Sequence, residues 1–196
     1  MDYQALQSLS PVTAECVVAA SNQYLVPPLV ILSILKVEGG KVGAVSHNTN
    51  GTMDIGPMQI NSIHLPSLAQ YGIAFENLKN NGCLNISIGA YLIKKAEIEI
   101  SKNKIILSPK DYWKSVGNYH SKTPEKNAIY VKKVAEAAAK MPKEWKEFDC
   151  RKYNACSISL THEIAKKDVS YQTNLGSPQT NENKVNSVQI LASYKR

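Results

Sequence analysis

Residues 27–37 are apolar on nearly every face, and the run stops at Glu38, Gly39 and Gly40. Proline is tolerated in a first helical turn, and glycine just past the last turn ends a helix. The pattern therefore predicts a buried helix that delivers one carboxylate to its own C-terminal end. On the N-terminal side, residues 1–9 read as a lead-in. Ser10 and Pro11 read as a cap and first-turn proline for a helix reaching Tyr24, with Cys16, Val17, Ala20 and Tyr24 on one side. Periodicity then fails over residues 41–55, where Asn, Thr and Gly dominate. Asn50-Gly51 is a strong turn signal, so a loop or very short hairpin is expected there.

A short helical stretch follows Asn61, broken by Pro66 and Gly72, and residues 78–82 read as a polar turn. Asn85 begins a helix to about Lys102, with Ile86, Ala90 and Ile93 on one face and Gly89 where another backbone can approach. Residues 103–110 connect it to a helix over 110–117, capped through Ser108 and Pro109. After the loop 118–124, a last helix spans 125–140, with Ala128, Val131, Val134, Ala135 and Ala138 as its apolar face. Beyond about residue 146, Ser, Thr, Asn and Gln prevail, which reads as an extended tail. The expected organisation is a mainly α domain over 1–145 and a polar C-terminal tail over 146–196, whose apolar run at 188–192 offers a docking segment.

Composition narrows the class. With 43% hydrophobic and 20% charged residues the chain is globular, and no apolar stretch reaches the ~20 residues that span a bilayer. The expectation is that it is not an integral membrane protein. No signal peptide is visible at Met1-Asp2-Tyr3-Gln4. The net charge of +7 favours anionic polymers, but the lysine pairs 94–95, 132–133 and 166–167 form no stripe interleaved with aromatics, so nucleic acid is not the expected partner. The four cysteines, Cys16, Cys83, Cys150 and Cys156, are compatible with two disulfides. A bridge between Cys16 and Cys83 would close a long loop, and one between Cys150 and Cys156 a short one. A zinc site through His162 has poor spacing, so no metal and no organic cofactor is expected.

The candidate chemistry centres on Glu38. Partial burial disfavours its charged form, and the negative end of the helix dipole repels it. Both raise its pKa, as a general acid near neutral pH requires. Asp54 is the nearest other carboxylate in sequence, and His47 reads as a surface loop residue.

Four segments then carry a family pattern: Glu38 at the end of its apolar helix; Asn50-Gly51-Thr52-Met53-Asp54-Ile55-Gly56-Pro57-Met58-Gln59-Ile60-Asn61; Asn85-Ile86-Ser87-Ile88-Gly89-Ala90-Tyr91-Leu92; and Asn118-Tyr119-His120-Ser121 followed by Asn127 and Tyr130. Over about residues 12–145 this resembles the family 1 lytic transglycosylases with the lysozyme-like SLT fold, particularly the small enzymes attached to type III and type IV secretion and conjugation systems. The resemblance implies cleavage of the β-1,4 bond between N-acetylmuramic acid and N-acetylglucosamine in peptidoglycan, leaving a 1,6-anhydro ring. It implies Glu38 as the single catalytic acid/base, Met58 and Gln59 on the cleft wall with Gln59 near a sugar N-acetyl group, Asn85 at the start of the helix lining the other side, and Tyr119 hydrogen-bonding near the glutamate. Asp54, Asn61 and Tyr130 complete the expected substrate-binding set, with loop fixing, loop capping and core packing as their respective structural readings.

Three departures from the family pattern stand out: Gly39 where serine usually follows the glutamate, Pro57 in place of Leu or Tyr, and His120 where many members have Asn. The resemblance places the protein in the periplasm or outside the cell, acting on glycan strands beside a secretion or conjugation apparatus that the tail contacts. Two other readings compete. One is a goose-type lysozyme-like hydrolase using a water held by Asp54. The other is a non-catalytic glycan-binding scaffold module.

Overall fold

A computed structural model describes residues 9–101 and 107–141. In chain order these form α1 (Ala14–Tyr24), α2 (Pro28–Glu38), strands β1 (Val45–His47), β2 (Met53–Ile55) and β3 (Ile60–Asn61), a 3-10 turn (Ser62–His64), α3 (Leu65–Ala69), α4 (Phe75–Asn80), α5 (Gly82–Ser101), α6 (Pro109–Asn118) and α7 (Pro124–Ala139). The mainly α expectation holds, and the 41–55 loop resolves into the hairpin alternative. The strands make one antiparallel sheet in sequence order, with Ser46 opposite Asp54 and Asp54 opposite Asn61.

Helix α2 forms where the apolar run predicts it. Pro28 occupies its first turn, and Gly39 closes it in a left-handed conformation with its N–H on Leu35 O at 3.0 Å. Its one buried hydroxyl, Ser33, donates back to Leu29 O at 2.6 Å, so α2 strands no hydroxyl of its own in the core. Helix α5 is the central strut, packed against α1, α4 and α6, while α2 lies between α1 and α7. Ile31, Ile34, Ile55, Met58, Ile60, Leu78, Ile86, Ile88 and Ile93 are sealed from solvent between these elements. Each such side chain contributes roughly 1.5–3 kcal/mol by leaving water. The Cys16–Cys83 pairing is present and ties α1 to the first turn of α5 across 67 residues. A loop of that size is worth about 4 kcal/mol through restriction of the unfolded chain. Cys150, Cys156 and the tail lie outside the described residues.

Several local expectations change. Thr13, not Ser10, caps α1, because Ser10 is drawn into a parallel bridge with Asn81. The stretch expected to turn at 78–82 is largely helix α4, and Asn81 then caps α5 through its Oδ1, which accepts from Leu84 N. Helix α5 therefore starts at Gly82, so Asn85 sits inside its first turn. Gly89 faces the Met58 side chain and not a backbone. On α7 the buried face is Asn127, Tyr130, Val134, Ala137 and Ala138, while Ala128 and Ala135 are exposed. Alanine is small enough to sit on either face, so the anchors supplied by α2 and α6 decided the rotation.

Candidate active site

Helix α2 ends by presenting Glu38 half-buried, and α7 crosses it so that Tyr130 meets it. The Tyr130 hydroxyl donates to Glu38 Oε1 at 2.5 Å. Burial pushes the Glu38 carboxyl above its ordinary range; the Tyr130 hydrogen bond pulls it back, Asp54 raises it further and Lys133 lowers it. Tyr130 itself is nearly sealed from solvent. Burial and the neighbouring carboxylate drive its phenol far upward, so the hydroxyl stays a donor.

The turn 56–59 forms a wall packed on Gly40, two residues past this carboxyl. Gln59 holds a left-handed backbone with φ of 48°, and its amide nitrogen donates to Gly56 O at 2.9 Å. Gly40 lets this wall come close: a β-carbon there would lie 2.1 Å from Gly56 O and 2.6 Å from Gln59 Nε2. Asn85 clamps the same turn from below. Its Oδ1 accepts from Met58 N at 2.9 Å, and its Nδ2 donates to Ile55 O and Leu78 O at 2.9 and 3.1 Å. From the other side, the Tyr119 hydroxyl donates to Met58 O at 2.7 Å.

The hairpin carries a second cluster. Asn48 and Asn61 donate their side-chain amides to the two oxygens of Asp54 at 2.9 and 2.7 Å. Both amides also reach Thr52 Oγ1 at 3.0 Å, and Thr52 donates onward to Asn50 Oδ1 at 2.8 Å. Asn61 Oδ1 meanwhile accepts from Ile63 N, capping the 3-10 turn. Asp54 is thereby a loop fixer whose charge still reaches Glu38, Tyr119 and His120.

Of the residues singled out in the sequence, Glu38, Gln59, Tyr119 and Tyr130 converge, with Asp54 and Asn61 beside them. Two corrections concern side chains. Met58 and Asn85 are fully buried, so neither side chain is open to a sugar. Met58 seats on Gly89 and Asn85 on the turn backbone, and both shape the wall from beneath. The two tyrosines differ in partner: Tyr130 bonds the glutamate itself, while Tyr119 bonds Met58 O within reach of the Glu38 charge and supports the wall. The sequence carried a signal for this in Asn127 and Tyr130, three apart on one helix and hence on one face. Asn127 is buried too, donating to Lys114 O, Asn118 Oδ1 and Ser121 O, which locks α7 to the end of α6. The departure at Gly39 also has a local cause. Its φ of +63° suits glycine and disfavours the serine common at that place. Lys133 and His120 are neighbours of the site that sequence reasoning did not assign. Among the described residues no three His, Cys, Asp or Glu side chains gather as a metal site.

The chain is similar to several known proteins. Invasion protein IagB of Salmonella typhimurium is 29% identical over 142 residues, covering 69% of this chain and 82% of its own length. Protein IpgF of Shigella flexneri is 31% identical over 124 residues, covering 63% and 76% respectively. The X polypeptide of Escherichia coli is 32% identical over 109 residues, covering 55% and 59%. The profile described as Transglycosylase SLT domain matches residues 15–139, which hold Glu38, its wall and both tyrosines. The chain therefore belongs to the transglycosylase SLT domain family.

Proposed function

We propose that the protein is a peptidoglycan lytic transglycosylase with Glu38 as its single acid/base. The observation that carries this is one half-buried carboxyl, biased toward its neutral form and held by a buried phenol, beside an Asp54 whose two oxygens are both engaged by asparagine amides. Neutral Glu38 protonates the glycosidic oxygen between N-acetylmuramic acid and N-acetylglucosamine as the bond from C1 to that oxygen breaks. The Tyr130 hydroxyl stabilises the carboxylate that results. Glu38 then takes the proton from the sugar's own 6-hydroxyl as that oxygen bonds to C1. The 1,6-anhydro ring closes, no water is consumed and Glu38 returns to its starting form. A paired-carboxylate glycosidase would instead need a second free carboxylate at a set separation.

Gln59 keeps its carbonyl oxygen for a sugar N-acetyl N–H, since its nitrogen is committed to Gly56 O. Tyr119 and Asn61 line the same wall. A disulfide between Cys16 and Cys83 suits an oxidising compartment, which supports action in the periplasm or beyond. We infer local wall opening for a secretion or conjugation apparatus, with residues 146–196 as the contact to it; a relative is named an invasion protein.

Asp54 gives a second reading some ground, because its charge is felt at Glu38. If a water reached it, the outcome would be lysozyme-like hydrolysis. Incubation with purified peptidoglycan and mass spectrometry of soluble products decides between them, with Glu38→Gln as control. Anhydro-muropeptides that vanish in the variant are expected. Reducing-end products would establish the hydrolase, and binding without release from either protein would establish the glycan-binding scaffold.

A further inference from the structure

His120 lies outside the acid/base scheme, yet its ring is the flattest partner in the site. The imidazole stacks on Tyr130 with ring centres 4.8 Å apart and planes within 8°. Tyr119 flanks the same ring at 6.5 Å and 25°. Offset parallel stacking at this spacing restrains both the plane and the position of the stacked ring. For a tyrosine whose hydroxyl bonds Glu38, the ring plane sets where that hydroxyl points.

The platform beneath the imidazole is itself fixed. The N–H groups of Tyr119, His120 and Ser121 bond Val116 O, Gly117 O and Gly117 O at 3.2, 3.1 and 3.1 Å. Asn127 stitches this turn to α7 one helical turn before Tyr130. His120 is exposed on its outer side while Tyr130 is nearly sealed, so the imidazole also covers the phenol ring. Burial together with Lys133 and Lys126 of α7 keeps the imidazole below its ordinary range, against the opposing pull of Asp54 on β2.

We propose that His120 is a positioning residue that acts through its stack on Tyr130 to hold the hydroxyl on Glu38. The proposal rests on Glu38 being the catalytic acid/base, but the stack can be tested without turnover. Three variants serve: His120→Ala removes the stack, His120→Phe keeps a flat ring without the imidazole nitrogens, and Tyr130→Phe removes the hydroxyl. The Glu38 carboxyl is titrated by NMR in protein carrying labelled glutamate.

In His120→Ala the Glu38 midpoint is expected to move upward, because a loosened hydroxyl no longer favours the carboxylate. His120→Phe is expected to restore the midpoint. In the Tyr130→Phe background, His120→Ala is expected to cause no further shift, since the route through the hydroxyl is gone. The kcat on peptidoglycan should fall about tenfold in His120→Ala with KM little changed, as for a small misplacement of a catalytic group, and recover in His120→Phe. An unmoved midpoint overturns the proposal. So does a downward shift, which water entry alone would give, or a shift that survives in the Tyr130→Phe background. If wild type releases no fragments while the titrations behave as expected, the stack stands and the reading of Glu38 as catalyst falls.

Discussion

Tyr130 donates its hydroxyl to Glu38 Oε1 at 2.5 Å across 92 positions of sequence. The bond exists because α7 packs along α2 and turns its Asn127–Tyr130–Val134 face inward. In the proposed reaction it places a permanent donor on the carboxyl that gains negative charge after proton transfer. Tyr130→Phe removes that donor and leaves the ring in place. The expected loss in kcat is about 10²-fold, the scale for deleting a preorganised donor at a developing anion. KM should change little. Steady-state release of soluble muropeptides measures both.

The pH behaviour follows from the direction of the Glu38 shift. Its folded-state pKa lies above its ordinary value of 4.5. Between the two values the folded state holds the proton more tightly than the unfolded chain, so folding stability falls as pH rises through that window. Glu38→Gln cannot ionise and escapes this. Its Tm is expected to exceed that of wild type at neutral pH, and the difference should close once the pH falls below 4.5. Activity should decline on the alkaline side as the neutral acid is lost. Thermal melts across pH check the first expectation and a pH–rate profile the second.

Asn85 supplies three hydrogen bonds inside the core, to Met58 N, Ile55 O and Leu78 O. Asn85→Ala removes all three bonds from the core and takes from Met58 N its side-chain acceptor. The expected loss is about 3 kcal/mol or more. Asn85→Asp does no better, because it turns an oxygen toward two carbonyls. Urea melts should show a lower midpoint for both with an unchanged slope.

Gly39 and Gly40 are adjacent but need glycine for different reasons. At Gly39 the backbone is left-handed with nothing within 4 Å of an added β-carbon, so Gly39→Ala should cost about 1 kcal/mol. At Gly40 the added carbon meets Gly56 O at 2.1 Å and Pro57 O at 3.0 Å. Those are backbone atoms that cannot step aside, so Gly40→Ala should cost about 3 kcal/mol and displace the wall from Glu38. Denaturation midpoints rank the two, and activity should fall steeply only in Gly40→Ala.

Much of the site was legible in the residues. Glu38 stands where an apolar helix meets its glycine stop, and the Asn- and Gly-rich stretch after it is the hairpin and the turn packed on Gly40. The shift in Glu38 follows from its burial, as its position on an apolar helix implied. The roles of single polar side chains were less legible. Asn61 and Asp54 look equally able to bind sugar or to brace a loop, and only their 2.7 Å contact identifies the bracing. Met58 and Asn85 sit in motif positions but are buried in the core.

The sequence by itself read α4 as a turn and left the hairpin as one of two alternatives, while it determined the longer helices, the glycine stop of α2 and the one carboxylate worth singling out. These follow from interactions within a few residues: turn propensity, first-turn prolines, glycine caps and the spacing of apolar positions. Only the tertiary structure decided which tyrosine bonds Glu38, which face of α7 is buried and that His120 stacks on Tyr130. Those outcomes depend on how α2, α6 and α7 cross, and the crossing is set by the whole core packing at once. A rotation of α7 by one residue would leave its alanines comfortable and remove Tyr130 from the site.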